Sequence, residues 1–195
     1  MTPVTTHQRQ SYTPPAGAPR RQSLGLRGFA ETLNAETDQA CAVLAAAFLN
    51  ASLEELFRAR MRALADPALI VSLLGAGGPL AGFSARIDLA RALGWVNDVE
   101  HVDLHIVRRV GEAFASDVRH ELSFSDARVR RACDGLEHAN AFLAEAGMPD
   151  SVFSGDVLAE LQGNARHRFE MAIGFLRGAL SFRATESRDA RGMGA

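Results

Sequence analysis

Between about residue 26 and residue 183, apolar residues recur at three- and four-residue intervals, and the runs of Val, Ile, Thr and Tyr that mark strands are missing. This pattern predicts an all-α fold, a compact bundle of about six helices. A long helix is expected from about Asp38, with Thr37 as N-cap, to about Leu64. Its first half is apolar on every side, which places it at the centre of the bundle. Asp66-Pro67 opens a short segment that ends at Leu74, since proline suits the first turn of a helix, and Gly75-Ala76-Gly77-Gly78-Pro79 reads as a loop. The next helix covers Phe83 to Leu93 and stops at Gly94. Asn97 and Glu100 have the spacing of a capping box for a helix reaching about Ser116, with Val99, Val102, Ile106, Val110 and Ala113 on one stripe. A connector from Asp117 to Ser125 leads to a helix from Asp126 to about Ala146. Gly147-Met148-Pro149-Asp150 breaks it, and a final helix covers about Asp156 to Phe182.

The ends depart from this periodicity. Residues 1–25 are rich in Pro, Ser, Thr, Gln and Gly and read as a disordered tail, followed by a helical domain over residues 26–183 and a short flexible tail over residues 184–195. Charge divides the chain in the same way. Residues 1–30 hold Arg9, Arg20, Arg21 and Arg27 and no acid, whereas residues 31–182 hold 14 Arg against 21 Asp and Glu, a net of −7. A body of that sign repels phosphate, so direct DNA binding is not expected except through the tail or a local patch. The longest apolar run, Ala40 to Leu49, has ten residues against the roughly 20 of a membrane span, and no signal-type segment precedes it. The expected setting is the cytosol, without a membrane partner.

Candidate chemistry is sparse. Leu93-Gly94 between two helices has the look of a helix-turn-helix, but Asp98, Glu100 and Asp103 stand in the leading turns of the helix that would meet phosphate, so an ordinary helical hairpin is the reading. Asp98, His101 and His105 are ligand types for zinc or iron at i, i+3 and i+7. Polar residues beside an apolar stripe are equally what a solvated helix face offers, so no metal and no cofactor is assigned. Cys41, set among Ala and Val, would have a raised pKa and make a poor nucleophile, and it joins Cys133 as a reduced core residue. No nucleophile elbow and no phosphate loop occur, so no catalytic residue is assigned and the chain reads as a non-enzyme.

The stretch from Gly78 to Gly94 (GPLAGFSARIDLARALG) resembles the signature of the bacterial mannitol operon repressor (MtlR) family. Asp38 to Phe57, Asp103 to Arg109 and Asn164 to Phe169 resemble further parts of that family in order, over about residues 30–182. The resemblance implies an all-helical cytoplasmic transcriptional regulator without a recognisable DNA-binding domain, acting through a protein partner, a transcription factor or a second copy of itself. The family-like positions, structural or interacting, are Gly78, Pro79, Phe83, Ser84, Arg86, Asp88, Asp103, His105, Arg108 and Arg109.

One departure bears on function. Family members tend to follow the arginine pair with Arg-Asn-x-Phe-Ala-His, a segment similar to the HEPN nuclease motif, where this chain has Gly111-Glu112-Ala113-Phe114-Ala115-Ser116. A degenerate HEPN-like RNA-binding or nuclease-related protein is therefore the alternative reading, kept open by His105, Arg108 and Arg109. Physically, Gly77, Gly78 and Pro79 set a turn, Ser84 is a candidate N-cap, and Phe83, Ile87, Leu89 and Ala90 face inward. Asp103 lies at the edge of an apolar stripe, where an unpaired carboxylate would cost several kcal/mol, and Arg86 is the partner expected for it.

Overall fold

The caps read from the sequence mark where the chain begins to coil. In the computed structural model, which describes residues 26–62, 66–147 and 155–192, the Thr37 side chain accepts a bond from the Ala40 amide at 3.3 Å and opens the central helix. Asp66 does the same for a short helix with Pro67 in its first turn. Asn97 and Glu100 close a reciprocal capping box, with both bonds at 2.8 Å.

The described residues contain nine α-helices and no strand: α1 Leu26–Ala35, α2 Asp38–Met61, α3 Pro67–Leu74, α4 Phe83–Ala92, α5 Asp98–Ala115, α6 Ala127–Cys133, α7 Glu137–Ala146, α8 Gly155–Gly163 and α9 Ala165–Gly192. The all-α expectation holds, but the count exceeds the six expected, for three reasons. Leu26–Ala35 forms a helix where the pattern gives none. The stretch from Asp126 to Ala146 is divided at Asp134-Gly135-Leu136 because the Asp103 carboxylate takes the amides of Glu137 and His138, bonds that a continuous helix would give to its own carbonyls. The last expected helix is divided at Asn164, whose side chain caps α9 through the amides of Arg166 and His167. Helix α9 also runs past Phe182 to Gly192, held to α5 by Arg183 on Glu100, with Ala184 buried. The basic tail expected over residues 1–25 lies outside the described residues.

Helix α2 packs most extensively on α5 and α9, and Leu49, Leu53, Leu56 and Phe57 are fully buried there with Leu104, Val107, Phe114, Phe169, Ile173 and Leu176. It is long and apolar enough to cross a membrane by composition. Its position is nevertheless the bundle centre. Contrary to the expectation of burial on every side, Leu44, Ala47, Ala51 and Glu55 form an exposed strip along it. Helices α2 and α5 approach closely at Gly111, where an added Cβ would stand 2.5 Å from the Ala46 Cβ.

Candidate functional site

The region that carries the family-like motif is built from the α3–α4 loop and the α4–α5 hairpin. Gly77, at φ +84°, turns the loop, and Gly78 passes so close to α3 that a Cβ would lie 2.2 Å from the Ser72 carbonyl oxygen. Pro79 is exposed beside them. Arg86 closes the loop from within. Its Nε donates to Leu80 O at 2.7 Å and Nη2 to Leu74 O at 3.0 Å, so one guanidinium fastens both ends of the loop. Nη1 donates to Asn50 Oδ1 at 2.7 Å, and Nη2 pairs with Glu54 Oε2 at 3.0 Å, which ties α4 to α2. Only 4% of Arg86 is exposed. The Glu54 carboxyl is held below the usual range, first by its bond from Arg58 and, against burial, by Arg86.

The ion pair expected between Arg86 and Asp103 is not formed. Arg86 faces α2 and the end of α3, whereas Asp103 faces α7 from another side of the bundle. Asp103 is fully buried and accepts three bonds, from the Glu137 amide at 2.8 Å, the His138 amide at 3.0 Å and His138 Nδ1 at 2.7 Å. Leu136, the N-cap residue of α7, offers no side-chain bond, so the carboxylate from α5 caps that helix across space. Ser84 is not the expected cap either. It stands in the first turn of α4 after the N-cap Gly82, and its hydroxyl bonds Asp88 Oδ2 at 3.4 Å. Phe83 is half-buried, while Ile87 and Ala90 enter the core.

Asp88 lies on the outer side of the hairpin. Its Oδ1 is 3.1 Å from His101 Nε2 and 2.9 Å from His105 Nε2, so two histidines one turn apart on α5 meet one carboxylate oxygen from α4. These bonds, His101's first and His105's second, hold the Asp88 carboxyl below its ordinary value. Asp98, grouped with these histidines on sequence spacing, turns instead to Arg91 at 2.7 Å. The missing signal was the hairpin register: once 91 faces 98, residue 88 falls opposite 101 and 105.

Arg108 is drawn to Glu112 one turn along, at 2.7 Å to both oxygens. Arg109 is exposed and lines an open cleft of about 940 Å³ with Glu112, Asp117, Arg128 and Arg131. The motif thus separates into an internal set, Gly78, Arg86 and Asp103, and an external set, Asp88, His105, Arg108 and Arg109. A site residue that the sequence reading missed is Arg166. It donates to Leu33 O and Glu36 O at the end of α1, both at 2.7 Å, and to Asp38 and Glu170, both at 2.8 Å. Cys41 and Cys133 are buried free thiols, each pushed up to about 12 chiefly by desolvation.

No family model matches the sequence, and no curated protein matches it by sequence. Solved structures do resemble it. One is a possible transcriptional regulator, YggD, from Shigella flexneri 2a, 18% identical, with 81% of this chain and 99% of that one covered at a TM-score of 0.60. Another is a chain of the MtlR–HPr complex from Escherichia coli, 24% identical, with 80% and 98% covered at a TM-score of 0.60. At these identities the likeness shows the fold alone, over nearly the whole length of both of those chains.

Proposed function

We propose that this chain is a non-enzymatic transcriptional regulator of the mannitol operon repressor kind, which acts in the cytoplasm by binding a protein and not by reading DNA. The observation that carries this reading is the likeness of the helical body to two regulator-type structures, one of them solved with HPr. Two features of the chain support it. Helix α5, the one a helix-turn-helix would place in the major groove, packs against α2, α4, α6, α7 and α9, and its exposed face carries Asp98 and Glu112, acids that repel phosphate. Large apolar side chains also stand outside the core, among them Leu69 and Val71 on α3 and Phe175 and Phe182 on α9, the kind of surface that a protein partner covers.

Titration calorimetry of the full chain with HPr from the same bacterium tests the reading, alongside a gel-shift assay on the promoter DNA of its own operon. Saturable binding of HPr with no discrete DNA shift supports it. A sequence-specific DNA complex that forms without any protein partner overturns it.

The alternative, a degenerate HEPN-like RNA-binding protein, would draw on Arg109, Arg128 and Arg131, which line one cleft but share it with Glu112, Asp117, Glu121 and Asp126. Against it stands Gly111, which holds the position of the family's motif arginine and touches α2 where no long side chain fits. Cleavage of single-stranded or structured RNA that is lost in His105→Ala would favour this alternative.

A further inference from the structure

We propose that Asp88, His101 and His105 form a binding site for one divalent transition-metal ion of the zinc class, clamping α4 to α5. The proposal stands on geometry and is independent of the regulator reading. The three potential ligand atoms lie within 4.8 Å of one another. A tetrahedral ion bound about 2.0–2.2 Å from each ligand places those ligands about 3.3–3.6 Å apart. The Oδ1 to Nε2 distances of 3.1 and 2.9 Å fall a few tenths of an ångström short of that spacing, a gap that small side-chain rotations close. His101 and His105 stand at i and i+4, so their rings leave the same face of α5 one turn apart, and they meet edge to face at 87° with centroids 4.6 Å apart. Both Nε2 atoms therefore reach one point without the rings stacking.

The surroundings suit an ion better than a purely structural cluster. The Asp88 side chain is 59% exposed and those of His101 and His105 are 30% and 21% exposed, so hydrogen bonds among them add little to stability and solvent can deliver a cation. The nearby cations are occupied elsewhere: Arg91 is bound to Asp98 and Arg108 to Glu112. Ser84 Oγ bonds the second Asp88 oxygen, Oδ2, which orients the carboxylate in the way that outer partners orient metal ligands. Two imidazoles and one carboxylate are the donor set of zinc and iron sites, and three protein ligands leave a fourth position to water or to an incoming group. Coordination requires both Nε2 atoms to be free of protons. The proton each shares with Asp88 in the metal-free cluster then leaves to solvent or is carried on Nδ1.

Equilibrium dialysis of the metal-stripped, untagged full chain against zinc chloride, with the cobalt(II) visible spectrum as a second readout, tests the proposal. One ion per chain is expected, with the tetrahedral cobalt absorption and a raised melting temperature. Asp88→Asn, His101→Gln and His105→Gln should each weaken binding at least tenfold, while their circular dichroism matches that of the parent. His120→Asn, away from the cluster, should leave affinity unchanged. The proposal is overturned if no saturable binding is found, if the three cluster substitutions leave affinity intact, or if only His120→Asn reduces it.

Discussion

Arginine carries more of this architecture than a surface residue usually does, and in two places it does so in the same way. Helices end with carbonyls that have no partner inside the helix, and Arg86 supplies donors to Leu74 O at the end of α3 while Arg166 supplies them to Leu33 O and Glu36 O at the end of α1. Each then fastens itself to an acid of α2, Glu54 or Asp38. The planar fork makes this geometry available, since its donors diverge at fixed angles and a lysine ammonium cannot span the same acceptors. Arg86→Met should therefore remain folded but lose about 2–4 kcal/mol, because Leu80 O, Leu74 O and Asn50 Oδ1 lose their guanidinium donor and Glu54 keeps only Arg58. Arg86→Lys should recover less than half of that loss in urea unfolding. Acid should reveal the same contact. Glu54 has a folded pKa below its ordinary 4.5, so its stabilising contribution is present above that value and is lost as pH falls through the lower folded one. The stability gap between the parent and Glu54→Gln should accordingly narrow in urea titrations run below pH 4.5. A gap that stays constant would mean that Glu54 and its arginines do not interact.

Helix boundaries show which information is local. Thr37, Asp66 and the Asn97–Glu100 box are legible because a cap is decided within four residues, and Gly94, at φ +67°, ends α4 as its type suggests. The division between α6 and α7 is not local, since the Asp103 carboxylate that enforces it comes from 34 residues away. Its place at the edge of an apolar stripe means that Asp103 needs a partner, and that partner is a helix terminus and His138, not Arg86. Asp103→Asn keeps the shape and offers a single acceptor oxygen to three donors. It should cost about 1–3 kcal/mol and speed hydrogen exchange at the Glu137 and His138 amides before that of the rest of α7. The glycines give a paired test of packing. Alanine is favoured over glycine in a helix by about 1 kcal/mol, so Gly174→Ala, where nothing lies within 4 Å of the added Cβ, should stabilise the protein. Gly111→Ala meets the Ala46 Cβ at 2.5 Å and the Ala42 carbonyl oxygen at 3.2 Å, and overpacking of about 1–3 kcal/mol should reverse the sign. Calorimetric melting of the two variants reads both signs directly.

At the scale of the whole molecule, the all-helical class and the central place of α2 were legible because they follow from periodicity and apolar content. The site was less so. Asp88, His101 and His105 come together only through the register of a hairpin whose turn is short but whose pairing no spacing rule states. Charge, by contrast, is additive and can be read without a fold. The body between residues 31 and 182 has a net charge of −7, and the basic residues at the start of the chain number four, Arg9, Arg20, Arg21 and Arg27. Each phosphate neutralised on a duplex contributes about −0.9 to the slope of log affinity against log salt, so this cluster can produce a slope no steeper than about −3.6. Any retention of DNA by the full chain should therefore be indifferent to sequence, fade within a few-fold rise in salt, and vanish when Arg9, Arg20, Arg21 and Arg27 are replaced by serine. A steeper slope, or retention that survives those four replacements, would place a DNA-contacting face on the acidic body. Such a face would have to draw on the arginines around the α5–α6 cleft, Arg109, Arg128 and Arg131, which share it with Glu112, Asp117, Glu121 and Asp126. With Glu112 already paired to Arg108, the three guanidiniums of the cleft face three further carboxylates and leave no net positive charge, so phosphate gains little by approaching it and the salt titration should report the tail alone.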